Sequence, residues 1–168
     1  WLPDSSVYVY ANRLRAQNVA DGLKEGRMAF IIAEIGTSHE GSLEKAKQLV
    51  AQLQAGKNIA LITDAGTPAI SDPGEVLVRF CQEAGITVTS LPGACACITA
   101  LTMSGLSTRR FCFEGFLPAD KKERKVILED LVDESRTIVL YEAPHHLVKT
   151  LEELYQALGE RKLTLCRE

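Results

Sequence analysis

Three short stretches hold the residue types that do chemistry: Thr63-Asp64-Ala65-Gly66-Thr67-Pro68, Leu91-Pro92-Gly93-Ala94 and Tyr141-Glu142-Ala143-Pro144-His145. Each follows an apolar run patterned as a strand. In open α/β sheets ligands bind beyond the carboxyl ends of strands, where loops and helix starts present free N–H groups. Glycine and alanine in such loops let a ligand approach the backbone closely. Asp64-Ala65-Gly66 therefore reads as a binding ledge for a small molecule. The same residues also make ordinary tight turns, and spacing alone leaves both readings open. No G-x-G-x-x-G, P-loop or G-x-S-x-G string is present. His145 and His146 are adjacent and cannot both face one site from a regular helix, and His39 has no local partner, so no metal site is expected. Ser71 beside Asp72 is explained by a turn rather than by a nucleophile.

These loops need strands and helices to carry them, and the pattern alternates accordingly. SVYVYA (6–11), MAFIIAE (28–34), NIALIT (58–63) and ITVTSL (86–91) read as strands. Residues 12–25 read as a short helix ending near Gly26. SLEKAKQLVAQLQAG keeps helical spacing, with Ser42 as N-cap and Gly56 at the C-cap. In Asp72-Pro73-Gly74-Glu75, Asp72 is expected to cap a helix, Pro73 to take its first position and Glu75 to close a capping box. Val76, Leu77, Phe80 and Cys81 form its buried stripe, and Gly85 stops it. Pro92-Gly93 opens a small-residue helix, ACACITALTMSG, which should carry Cys95 and Cys97. After a break near Gly105–Arg110 the alternation resumes: FCFEGF, a charged helix over about 119–134, TIVLYE, a helix over 146–158, and KLTLCRE as a third strand. Continuous apolar strands between helices predict parallel or mixed sheets covered by helices. The expected units are 1–108 and 109–168, the second apparently truncated.

Bulk properties exclude several classes. The 168 residues are 46% hydrophobic and 24% charged with net charge −3, which suits one or two globular domains. No apolar run approaches the roughly 18 residues of a membrane span, and WLPDSSVYVY lacks the regions of a signal peptide. No membrane partner and a cytoplasmic location are expected. Five cysteines, an odd number without paired metal-type spacing, read as reduced thiols. Charges nearly balance in both halves, unlike the basic body of a strong non-specific nucleic-acid binder. Lys121, Lys122, Arg124 and Lys125 read as a solvated helix face, with contact to RNA left open.

Over residues 51–168 the text is specific. GKNIALITDAGTPAISDPG, LPGACACITALTMSGL, FCFEGFLP, YEAPHHLVKTLEELYQALG and the terminal CRE occur in one order. That order resembles the ribosomal RNA small-subunit methyltransferase I family, cytidine 2′-O-methyltransferases of the tetrapyrrole-methylase-like superfamily. The resemblance implies a two-domain α/β fold, S-adenosylmethionine in the cleft between the domains, a homodimer, and small-subunit ribosomal RNA as substrate. It implies that Asp64, Ala65, Gly66 and Thr67 form the cofactor-side loop. Pro92, Gly93 and Ala94 match the second loop at the cleft, and Glu142, Ala143 and Pro144 the loop from the second domain. Arg167 and Glu168 match the start of a further motif. A ribose hydroxyl is a poor nucleophile at neutral pH, so a general base helps, and the carboxylates on these loops are Asp64, first, and Glu142, second. Each also has a structural alternative: Asp64 holding backbone N–H groups or orienting the cofactor, and Glu142 tying its loop.

The chain also departs from the family. Where the family has T-P-I-G-N, it reads Tyr10-Ala11-Asn12-Arg13-Leu14-Arg15. A-E-D-T-R is echoed only by Ala33-Glu34-Ile35-Gly36-Thr37, and His146 stands where the family has Arg. Residues 29–50, AFIIAEIGTSHEGSLEKAKQLV, are similar to the start of N-acetylneuraminate synthase barrels, with Glu34 ending the first barrel strand. The chain is shorter than the ~250 residues such a barrel needs. Methylation of a tetrapyrrole or other small acceptor, and a non-catalytic truncated or fused remnant, are the alternatives to ribosomal RNA methylation.

Overall fold

The apolar run Asn58–Ile62 is an interior strand of a parallel sheet in the computed structural model of this chain, which describes residues 6–10, 30–34, 42–62 and 66–167. The strands are β1 (Ser6–Tyr10), β2 (Phe30–Glu34), β3 (Asn58–Ile62) and β4 (Thr87–Ser90), in the order β2-β3-β1-β4. All pairings are parallel; Val9 lies opposite Leu61 on one side and Ser90 on the other. Every residue of β3 is buried, as expected of a strand covered on both faces. The helix expected over 12–25, His39, Asp64, Ala65, Glu168 and the departures at 11–15 and 35–37 lie outside the described residues.

Helices α1 (Ser42–Gln54) and α2 (Glu75–Glu83) supply the core on the Ile59/Leu61 face. Ala46, Leu49 and Leu53 of α1 meet Ile59, Leu61, Leu77 and Cys81, with Val76 and Phe80 packed alongside. A fully buried Leu or Ile contributes about 1.5–3 kcal/mol, so this cluster outweighs any single cap. Both helices end as the glycines predict. Gly56 (φ 87°) donates to Leu53 O while Lys57 N–H reaches Gln52 O, and Gly85 (φ 68°) with Ile86 repeats the arrangement on Gln82 and Cys81. Ser42, expected as a cap, is the first helical residue.

The start of α2 corrects the expectation. Its N-cap is Gly74, with φ 133° and no side chain to cap with, so Asp72 and Pro73 precede the helix rather than taking its N-cap and first position. A Cβ at Gly74 would fall 2.6 Å from Leu61 Cδ2. Close approach to the strand selects glycine at this turn.

The chain divides into units Trp1–Cys95 and Ala96–Glu168. Helix α3 (Ala96–Met103), which the sequence reading assigns to the first unit, groups with the second. Cys97 lies on α3, but Cys95 precedes it. The second unit continues with β5 (Phe111–Phe116), α4 (Lys121–Asp130), β6 (Thr137–Tyr141) and α5 (Leu147–Leu158). β5 and β6 pair in parallel, with a bulge between Phe113 and Gly115. Asp120 caps α4 by accepting from Lys122 N–H (2.9 Å) and Glu123 N–H (3.0 Å). Helix α4 stops at Asp130, short of the expected 134; beyond it Arg161 donates to Val132 O and Glu134 O.

The third strand expected at KLTLCRE is absent: residues 161–167 carry no strand. Instead Thr164 Oγ1 donates to Ser104 O (2.9 Å) and Cys166 Sγ–H to Ala100 O (3.8 Å). Leu163 and Leu165 are each 58% exposed, so apolar alternation here lacks the packed face that makes a strand.

Candidate functional site

Because all four strands of the first sheet are parallel, the loops after β3 and β4 leave its same, carboxyl edge. β3 and β4 flank β1, so these two loops stand on either side of its end. That is where a chain crossing from one side of a sheet to the other opens a crevice for ligands. Thr67 Oγ1 donates to Ala94 O at 3.0 Å and ties the two loops together. Thr67 thus joins Gly66 to the Pro92-Gly93-Ala94 segment, whose three residues are exposed.

The loop after β3 is conformationally demanding. Gly66 has φ 75°, and two non-glycine residues, Ala69 (φ 67°) and Ser71 (φ 53°), also adopt left-handed backbone. Pro68 between them and the strand is buried. Such outliers cost of order 1–3 kcal/mol each and persist where packing over-determines them, often at binding sites. Asp72 folds back beneath the loop: its Oδ2 lies 3.8 Å from where a Gly66 Cβ would be. Asp72 therefore lies against the ledge it was expected to follow.

In the second unit, β6 ends on Tyr141, whose hydroxyl accepts from the Cys97 N–H at 3.0 Å. That N–H lies in the first turn of α3, where helical donors lack internal partners. The Tyr141 ring packs edge-on against Phe113 (5.1 Å) and tilted on Phe116 (5.4 Å). Glu142 follows with both carboxylate oxygens occupied. Oε1 accepts from Ala143 N–H (2.7 Å) and Oε2 from Thr150 Oγ1 (2.5 Å). Arg124 of α4 donates through Nη2 to Thr150 Oγ1 (2.7 Å) and pairs through Nε with Glu153 Oε2 (2.6 Å). Burial opposes the charge on Glu142, but the bonds from Thr150 and Ala143, aided by the Arg124 and His146 charges, hold its carboxyl below the ordinary value near 4.5.

Within the 142–144 loop the Ala143 backbone is engaged locally. Ala143 N–H is taken by Glu142, Ala143 O accepts from His146 N–H (3.0 Å), and Pro144 has no N–H. The His145 and His146 rings lie 4.1 Å apart. Sequence reasoning missed Tyr141, Thr150 and Arg124. Arg124 was read as part of a solvated basic face, yet its side chain is only 16% exposed. The one local signal was Thr150 in the first turn of the helix that follows Glu142.

The cysteines are all free. Burial raises the Cys81 thiol to about 11, and burial together with the neighbouring Glu114 carboxylate, which accepts its S–H at 2.7 Å, does the same for Cys112. An open hollow of about 340 Å³ between α1 and α2, lined by Val50, Ala51 and Phe80 among others, contains none of the candidate residues.

The profile of the family Tetrapyrrole (Corrin/Porphyrin) Methylases matches residues 4–168, nearly the whole chain. The chain belongs to this family. Proteins named Ribosomal RNA small subunit methyltransferase I match it at 59% identity in Haemophilus influenzae, 56% in Synechocystis and 54% in Escherichia coli O157:H7. Each alignment covers 74% of this chain but 44–45% of the relative, so the chain spans under half the length of these proteins. The likeness of residues 29–50 to N-acetylneuraminate synthase is not borne out. The methylase profile runs through that stretch, and among the described strands β2 sits at the edge of the four-stranded sheet, paired with β3. Among the described residues, no helix is long and apolar enough to cross a membrane.

Proposed function

We propose that this methylase-family chain binds S-adenosylmethionine and transfers its methyl group to the ribose 2′-hydroxyl of a cytidine in small-subunit ribosomal RNA. The observation that carries this reading is the Thr67–Ala94 bond, which joins two candidate loops at the carboxyl edge of the sheet. The exposed Pro92-Gly93-Ala94 backbone and the open left-handed Gly66 suit a flat adenosyl ligand. The relatives' shared name gives the acceptor class.

The bound sulfonium compound supplies an already activated methyl. The chain's own task is then to hold the attacking oxygen in line, about 3 Å away, and to accept its proton. Asp64, three residues before Thr67, takes the proton in this reading. Glu142, with both oxygens committed, holds its loop. The homodimer and the cytoplasmic location belong to the same proposal, and sedimentation of the purified protein tests the first.

Calorimetric titration with S-adenosylmethionine, followed by methyl transfer to small subunits lacking the modification, tests the reading. D64A is expected to bind the cofactor and lose single-turnover transfer by 10²–10⁴-fold. Lost affinity with an unchanged single-turnover rate removes Asp64 as base. Wild-type protein that binds no cofactor removes the assignment.

A further inference from the structure

Four polar side chains meet at the first turn of α5, in one directed chain. Thr150 has a single hydroxyl proton, and it goes to Glu142 Oε2. Its oxygen therefore receives the Arg124 Nη2 proton, while Arg124 Nε is held by Glu153. The other end of the chain is Glu142 Oε1 on Ala143 N–H. Thr150 is 4% exposed, so the hydroxyl has little access to water as an alternative partner.

Holding α4 against α5 does not require this. Well-packed apolar residues of similar volume often do so equally well or better, because buried polar groups must first be desolvated. What the polar chain adds is direction: it fixes the orientation of one carboxylate, and through it the backbone of residues 142–144. That loop's N–H and C=O groups at Ala143 are spent internally. Pro144 beside it is exposed, so what this loop presents depends on where its backbone is held.

We propose that Thr150 and Arg124 are positioning residues for methyl transfer, acting through Glu142 to fix the backbone of the Glu142-Ala143-Pro144 loop. This rests on the methyltransferase reading. Arg124 cannot be replaced by Lys here, because one ammonium does not reproduce a fork that serves Thr150 and Glu153 from two nitrogens.

The test is steady-state methyl transfer to small subunits by wild type, T150V, T150S and R124K, with thermal denaturation of each. T150V is expected to lower kcat on the order of 10- to 100-fold, the cost of a misplaced reacting group, in protein that is still folded at the assay temperature although it melts lower, because Glu142 Oε2 and Arg124 Nη2 lose a partner. T150S restores most of the rate by restoring the hydroxyl, and R124K loses rate as T150V does. A T150V protein as fast as wild type overturns the inference and leaves the methyltransferase reading standing. So does T150S as slow as T150V with both folded. Should T150V not fold, wild-type kcat in R124K overturns it. Absence of transfer by wild type overturns the reading and the inference together.

Discussion

A carboxylate with both oxygens engaged and its acidity increased is a weak proton acceptor, and Glu142 is in that state. Its geometry favours the loop-tying alternative over the base. Because its folded pKa is depressed, the stability it contributes is present above the ordinary value near 4.5 and is lost as pH falls through the folded value. Wild type is therefore expected to be more stable than E142Q at pH 7, with the gap closing below about pH 4.5. Urea denaturation at pH 7 and pH 3.5 measures it, and an equal gap at both would reject the assignment. The sequence identified Glu142 as a residue of interest, but its partners lie 8 and 18 positions away on two helices, beyond the reach of local spacing. Asp120 shows the opposite case: its partners are two and three residues on, although the sequence reading began that helix at about 119.

At the level of secondary structure, helix ends divide into those set locally and those set by neighbours. Gly56 and Gly85 close their helices through backbone bonds within six residues, and both were read from the sequence. The start of α2 was misread because Asp72-Pro73-x-Glu75 satisfies every local capping rule. What overrides it is Leu61, a strand residue that leaves no space for a side chain at position 74. G74A is expected to destabilise by about 2–5 kcal/mol, combining backbone strain with overpacking. Trimming the obstacle in L61A/G74A should make the double variant less unstable than the sum of its parts, since the two sites touch. Strict additivity in chemical denaturation would exclude the overlap as the cause. Over 161–167 a different cause applies, since alternation without a packed face gives no strand.

Over the whole chain, charge constrains how the proposed RNA partner is met. With net charge −3, the chain lacks the excess of cations that grips naked strands. On free small-subunit RNA, the slope of log affinity against log salt is expected to be shallower than about −2, fewer than about three phosphates neutralised. A steep slope in filter binding or anisotropy would show that free RNA is gripped directly and would contradict the charge argument. The two units differ in kind. The first is a four-stranded parallel sheet with a shared core, whereas the second carries a two-stranded sheet and leaves Val148, Tyr155 and Leu163 well exposed.

The α/β alternation and the family could be read from the linear chain, because periodicity, glycine placement and a long specific motif are local properties. Folding in space was needed to tie Thr67 to Ala94, to turn Asp72 under its loop and to recruit Arg124 and Thr150 around Glu142. Those contacts join residues brought together by strand order and helix packing, and a hydrogen bond depends on distance and angle that no spacing along the chain encodes.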